Sequence, residues 1–283
     1  MNAQRDTTSM RDVLYEQPGP KTQRKILIGT IIASLVLAVG IAAIVQRFYV
    51  TGQLSAKYWR FFTYWTTWRF LGEGFVGTLE VSITAGILAL ILGLVLMLGR
   101  RSKIRVLSTI SRVVINFFRG VPSLLLIYFF FLVIPQYGLR LPAFWMLTLP
   151  IAFAASGVLA EVLRAGMNAV PKGQREAAIS LGMSRMQTTF KIVLPQAIKF
   201  VVPSLISQLV VVVKDTTVAY IVSYPDLLQN ARVLVTNYDA LVSTYFVVAL
   251  IYIVLNYIIN QLSVYLARRS GTQVLGRSNE EPV

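Results

Sequence analysis

Neither cysteine nor histidine occurs among the 283 residues. That absence excludes a disulfide framework, a Cys/His zinc site, a thiol nucleophile and a Ser-His-Asp triad. There is also no Gly-x-x-x-x-Gly-Lys-Ser/Thr run, so no segment cradles nucleotide phosphates in the P-loop manner. Charge is sparse, with 14% of residues charged against 55% hydrophobic. The mean hydropathy is +0.65, outside the usual range of a soluble domain. The charge that is present sums to +15. A nucleic-acid partner would require those basic residues on one soluble face, whereas they sit between apolar runs. The composition describes a membrane protein without metal, nucleic acid or an evident catalytic constellation.

Crossing about 30 Å of hydrocarbon takes about 20 apolar residues in a helix. Six runs qualify: Ile26 to Val45, Gly74 to Gly99 with only Glu80 charged, Val121 to Leu139, Pro142 to Ala160, Ala197 to Val222, and Leu241 to Ala267. Arg140 and Leu141 alone separate the third and fourth, which predicts a tight helical hairpin. The first run exceeds the about 7–15 residues of a signal-peptide core, so it reads as a retained span. Lys and Arg number 20 in the tails and loops on one side and 6 on the other, with Lys214 inside a span. The positive-inside rule then places both termini in the cytoplasm. The fold expected is all-α and polytopic, with six transmembrane helices.

The organisation expected along the chain is a cytoplasmic tail over 1–25, an N-terminal span over 26–45, an aromatic-rich outer segment over 46–73, a core over 74–269 and a second tail over 270–283. The outer segment carries Trp59, Trp65 and Trp68 among many Phe and Tyr residues, which suits the headgroup region and predicts a stretch lying flat on the membrane. Both tails are polar and read as mobile.

The connection at 161–199 is the most informative. It contains Val170-Pro171-Lys172-Gly173-Gln174-Arg175-Glu176-Ala177-Ala178-Ile179-Ser180-Leu181-Gly182, and later Ile192-Val193-Leu194-Pro195. Pro171 favours a turn, Glu176 to Leu181 are mostly good helix formers, and Gly182 suits the left-handed residue that closes a short helix. Ala177, Ala178 and Leu181 are spaced to share a shallow apolar face flanked by Arg175 and Glu176, a surface another protein's groove can grip.

These residues resemble the EAA loop of ABC-type importer permeases: Glu-Ala-Ala, three residues, Gly, nine residues, Ile, one residue, Leu-Pro. The resemblance implies a coupling helix seated in a cytoplasmic ATPase, with Arg175, Glu176, Ala177, Ala178, Leu181 and Gly182 at the contact. It also implies a second permease subunit, two ATPase subunits that bind ATP and Mg, and an extracytoplasmic solute-binding protein. No cofactor is expected on this chain itself. Phe118-Arg119-Gly120-Val121-Pro122, Ala160-Glu161-Val162-Leu163-Arg164, Pro171-Lys172-Gly173-Gln174 and Lys214-Asp215-Thr216-Thr217 are similar to the polar amino-acid branch of that family. That branch has a five-helix core, so 26–45 would be an added helix. Val13-Leu14-Tyr15-Glu16-Gln17-Pro18-Gly19-Pro20 resembles the second permease of actinobacterial glutamate uptake systems, which makes glutamate the substrate expected.

Several of these residues have more than one reading. Glu161 and Arg164 stand at i, i+3 near the inner end of a span, where a salt bridge would brace the loop. Arg119 can snorkel to headgroups or serve substrate passage. Lys214 and Asp215 are ionisable within a span and need polar surroundings. With Thr216 and Thr217 they could line a substrate path, bridge to a neighbouring helix, or act as an ion relay in a secondary transporter or channel.

Overall fold

The computed structural model describes residues 19–269, and the chain there is helical with short connections. Most of both expected tails lies outside the described residues. The chain divides at Ala56/Lys57 into two compact units.

The first unit is one helix, α1, Pro20–Val50. Pro20 stands at its first position, where a missing N–H costs nothing. Thr51 closes it by donating its hydroxyl to the Arg47 carbonyl at 2.8 Å. The helix extends beyond the expected 26–45 at both ends, because the flanking Lys21 to Lys25 and Gln46 to Val50 are compatible with helix and nothing in them breaks it.

The second unit opens with two short 3₁₀ turns, Ala56–Tyr58 and Arg60–Thr63. Helix α2, Trp65–Arg100, follows. At 36 residues it is about 54 Å long, well over the hydrocarbon thickness. The aromatic stretch expected to lie flat is therefore divided, since Trp65 to Glu73 already belong to α2. Phe61 is buried, stacked on Tyr238 at 4.6 Å between ring centroids.

The connection between the second and third apolar runs, counted among the loops by charge, is mostly helical: α3, Arg105–Gly120, occupies it. Ser111 and Ile115 face inward. Arg105, Arg112 and Arg119 repeat every seven residues, a spacing that keeps cations on one side of a helix. Val121 is extended before Pro122, as the proline ring demands of its predecessor. The chain turns there by 99° into α4, Ser123–Tyr128, which continues through a π-turn and a 3₁₀ turn to Tyr137. Among the described residues five helices are long and apolar enough to span a membrane, or six when this bent pair counts as one span.

Helix α5, Ala143–Ala169, packs along α2 and forms the centre of the core. Gly77, Val81, Ala85, Ala89, Gly93 and Met97 of α2 repeat at i+4 and are all buried. Without a hydrophobic force between helices in lipid, small residues let backbones approach and gain dispersion energy. A Cβ on Gly93 would stand 3.0 Å from the Leu159 Cβ and 3.1 Å from the Ala160 nitrogen. Beyond α5 come α6, Lys172–Ser180; α7, Arg185–Gln187; α8, Leu194–Asp215; α9, Leu227–Tyr238; and α10, Leu241–Arg269. A π-turn joins α7 to α8, and a 3₁₀ turn, Thr216–Val222, prolongs α8.

Candidate functional site

The site is built where α2, α3 and α5 end together. Glu161 projects from α5 with its side chain 17% exposed. Arg164 Nε donates to Glu161 Oε2 at 2.6 Å, and Arg100 Nη1 from the end of α2 donates to Oε1. Arg119 Nη1 from α3 stands 3.8 Å from the same oxygen. One carboxylate thus gathers three guanidinium groups from three helices. Arg164 is visible at i+3, whereas Arg100 lies 61 positions away and Arg119 42, beyond any local spacing rule.

Beyond this node α5 closes at Val170 and Pro171, and α6 begins. Arg175 Nη2 reaches back to donate to the Met167 carbonyl at 2.5 Å, satisfying one of the acceptors that a helix end leaves open. Gln196 Nε2 of α8 donates to Gln174 Oε1 at 3.3 Å. The C-terminus of α6 is a Schellman motif: the Gly182 N–H donates to the Ile179 carbonyl at 2.9 Å and the Met183 N–H to the Ala178 carbonyl at 3.1 Å. Gly182 has φ +75°, the left-handed conformation that this closure requires and that a Cβ disfavours. A capping box then restarts the helix, with Ser184 and Gln187 each accepting from the other's backbone N–H. Short, closed at its C-terminus and bonded to α5 and α8, α6 is tied to the bundle.

The side chains of α6 sort differently from the expected face. Ala178 is 3% exposed and Arg175 is turned back toward α5. The two stand at i, i+3, so the bond from Arg175 to Met167 turns that side of the helix inward and carries Ala178 with it. Glu176, Ala177 and Ile179 remain exposed, and Leu181 is 83% exposed. Ile179 is an exposed apolar residue that the sequence reading passed over. With Leu181 it gives the outward side of this segment two large aliphatic side chains.

The Lys214 to Thr217 group is not one cluster. Lys214 is exposed, and its carbonyl accepts from the Thr217 hydroxyl at 2.6 Å. Asp215 is half-buried against Ser123 of α4, whose hydroxyl bonds its carboxylate. Thr216 is fully buried and donates to the Val213 carbonyl at 2.9 Å, which removes it from any open path. The helix changes from α to 3₁₀ at this point, so the four side chains fan out rather than share a face.

A buried polar centre not foreseen from sequence lies at the other end of the core. Asp226 caps α9, accepting from the Gln229 N–H at 2.7 Å, and its other oxygen accepts from the Tyr252 hydroxyl at 3.4 Å. The Leu227 N–H donates to Thr78 Oγ1 at 3.1 Å, and Asn230 Nδ2 to the Phe70 carbonyl at 2.7 Å. Burial pushes the Asp226 carboxyl up to about 6. An acidic residue directly before a helical stretch was the available signal. Among the described residues no group of three or more His, Cys, Asp or Glu is placed to hold a metal.

Comparison with known proteins matches residues 85–271 to the family described as binding-protein-dependent transport system inner membrane component. The chain is 36% identical over 241 residues to the glutamate transport system permease protein GluD of Corynebacterium glutamicum, covering 82% of this chain and 88% of that protein. It is also 36% identical over 193 residues to the probable glutamine ABC transporter permease protein GlnP of Bacillus subtilis, covering 66% and 88% respectively. Among solved structures, an amino acid ABC transporter with histidines superposes with a TM-score of 0.67 at 28% identity, covering 71% of this chain and 94% of that one.

Proposed function

Because the chain belongs to the family of binding-protein-dependent transport system inner membrane components, we propose that α6 is the lever through which a separate ATPase drives it. The protein is a multi-pass membrane permease subunit of an amino-acid ABC importer. Within that role, ATP with Mg is bound and hydrolysed by two partner subunits, which agrees with the lack of a P-loop in this chain. A second permease subunit completes the pathway, and an extracytoplasmic solute-binding protein delivers the solute. The charge asymmetry between loops supports a cytoplasmic α6 and cytoplasmic termini.

The observation that carries the lever reading is the division of α6 into an anchored side and a presented side. Arg175, Ala178 and Gln174 face or bond the bundle, while Glu176, Ala177, Ile179 and Leu181 are offered outward. A force applied to the presented side passes through Arg175 to the end of α5. From there the Glu161 node distributes it to α2 and α3. Gly182 and its Schellman bonds keep the presented side rigid.

Glutamate is the substrate we favour, supported by the 36% identity to a glutamate transport system permease. Lys214 is exposed within a span and requires an anion or water there, and a substrate carboxylate answers that requirement. Asp215 faces Ser123 and the Thr217 hydroxyl is bonded to the Lys214 carbonyl, so of the four residues Lys214 is the one offered for this contact. Proteoliposomes holding the assembled transporter, supplied with the binding protein outside and ATP inside, test this directly. ATP-dependent uptake of labelled glutamate is expected. Uptake driven by an ion gradient alone, without ATP, would instead identify a secondary transporter.

A further inference from the structure

A cavity of about 780 Å³ opens between the α2–α3 connection, α6 and the segment joining α7 to α8. Arg101, Lys103, Arg175 and Arg185 line it, and no carboxylate does. Glu161 is already committed to Arg100 and Arg164, and Glu176, next to Arg175 on α6, is exposed. Arg101 donates to the amide oxygen of Asn168 at 3.1 Å, and Arg175 donates to a backbone carbonyl. Burial first, and then the like charges of Arg175 and Arg164, hold the Arg101 guanidinium below its ordinary pKa. Thr188, 5% exposed, also lines the cavity, and its hydroxyl oxygen has no hydrogen-bond partner. A buried hydroxyl left unpaired costs about 1–3 kcal/mol, so an oxygen-rich ligand at this place would relieve it.

The opposite wall is apolar, with Leu98, Leu107 and Phe190, and the last two are exposed. The cavity stands beside Gly99, where the second apolar run ends, and beside Arg185, where the long helix to Val222 begins. A free anion would satisfy the cations and leave the apolar wall wet. An acidic protein surface would find that wall equally unsuitable. We propose that the cavity is a binding site for one anionic phospholipid, its phosphate between Arg101, Lys103 and Arg185 near Thr188 and its chains along Leu107 and Phe190. Because Arg175 belongs both to this cavity and to the anchor of α6, the lipid would stiffen the attachment of the lever. That consequence rests on the function proposed above, whereas the binding itself does not.

The test uses the assembled transporter, with its ATPase and partner permease, purified from membranes containing phosphatidylglycerol and phosphatidylcholine, and counts retained lipids by mass spectrometry. Wild-type complex is expected to retain phosphatidylglycerol in preference to phosphatidylcholine. A contribution of about 1 kcal/mol per cation makes Lys103→Gln with Arg185→Gln about 30-fold weaker for phosphatidylglycerol, and Lys103→Gln alone about 5-fold weaker should the pair not fold. Phosphatidylcholine retention should not change. Equal retention of phosphatidylglycerol by wild type and variants overturns the proposal. Displacement of the lipid by inorganic phosphate identifies a free-anion site and overturns it as well, as does a cross-link from position 185 to the ATPase, which makes this face a protein contact. If phosphatidylglycerol is retained but does not affect uptake, the site stands and the stiffening of the lever is the part that fails.

Discussion

Replacing Glu161 by glutamine removes one negative charge from a group faced by three guanidinium groups, and the expected cost follows from how wet each pair is. Arg100 and Glu161 are 23% and 17% exposed, so breaking that pair approaches the about 3–5 kcal/mol of a buried one. Arg164 and Arg119 are 37% and 47% exposed and retain water, so their shares fall toward the about 0–1 kcal/mol of surface pairs. Glutamine keeps an acceptor oxygen in place, which brings the net loss to about 2 kcal/mol. At about 2–4 °C per kcal/mol for a chain of this size, thermal unfolding of the purified complex in nanodiscs should drop by about 4–8 °C. A double-mutant cycle with Arg100→Gln separates the node from a generic loss of charge. Coupling above about 1 kcal/mol is expected. Additivity within about 0.5 kcal/mol, the behaviour of independent sites, refutes the node.

Gly182→Ala forces a side chain into a left-handed conformation at a position with open space around it, so its cost of about 1 kcal/mol is conformational. ATP-driven uptake should fall while membrane insertion, measured by protease protection, stays intact. Asp226 predicts a pH dependence. Its folded pKa of about 6 lies above the unfolded value near 4, so the native state holds the proton longer and stability falls as pH rises between about 4 and 6, by about 3 kcal/mol in all. Asp226→Asn preserves the helix cap and should abolish that fall, leaving variant and wild type alike at pH 4 and the variant more stable at pH 7. Parallel melting profiles for the two across this range would contradict the assignment.

The spans and the short helix ahead of Gly182 were legible because both are local: runs of about 20 apolar residues, and a Pro-bounded segment ending in glycine. The i, i+3 pair of Glu161 and Arg164 was legible for the same reason. Its enlargement by Arg100 and Arg119 was not, since those residues come from helices that only the tertiary fold brings together. Helix α3 was hidden because its apolar residues alternate with Arg105, Arg112 and Arg119, and a search for uninterrupted hydrophobic runs discards such a pattern. The inward turn of Ala178 depends on Arg175 reaching Met167, and sequence spacing alone leaves the helix free to rotate by that amount. Lys214 to Thr217 kept several readings in the sequence, because neither the Ser123 that faces Asp215 nor the tightening of the helix to 3₁₀ is written in local spacing.

The chain's lack of native cysteine permits a single reporter at the presented tip of α6. Leu181→Cys, treated with a thiol-reactive cross-linker in inverted membrane vesicles that contain the ATPase, should yield one cross-linked permease–ATPase product whose amount changes when ATP is added. Labelling of that cysteine in intact cells by a membrane-impermeant reagent, or the absence of any ATPase cross-link, would contradict the assignment of α6 as the lever.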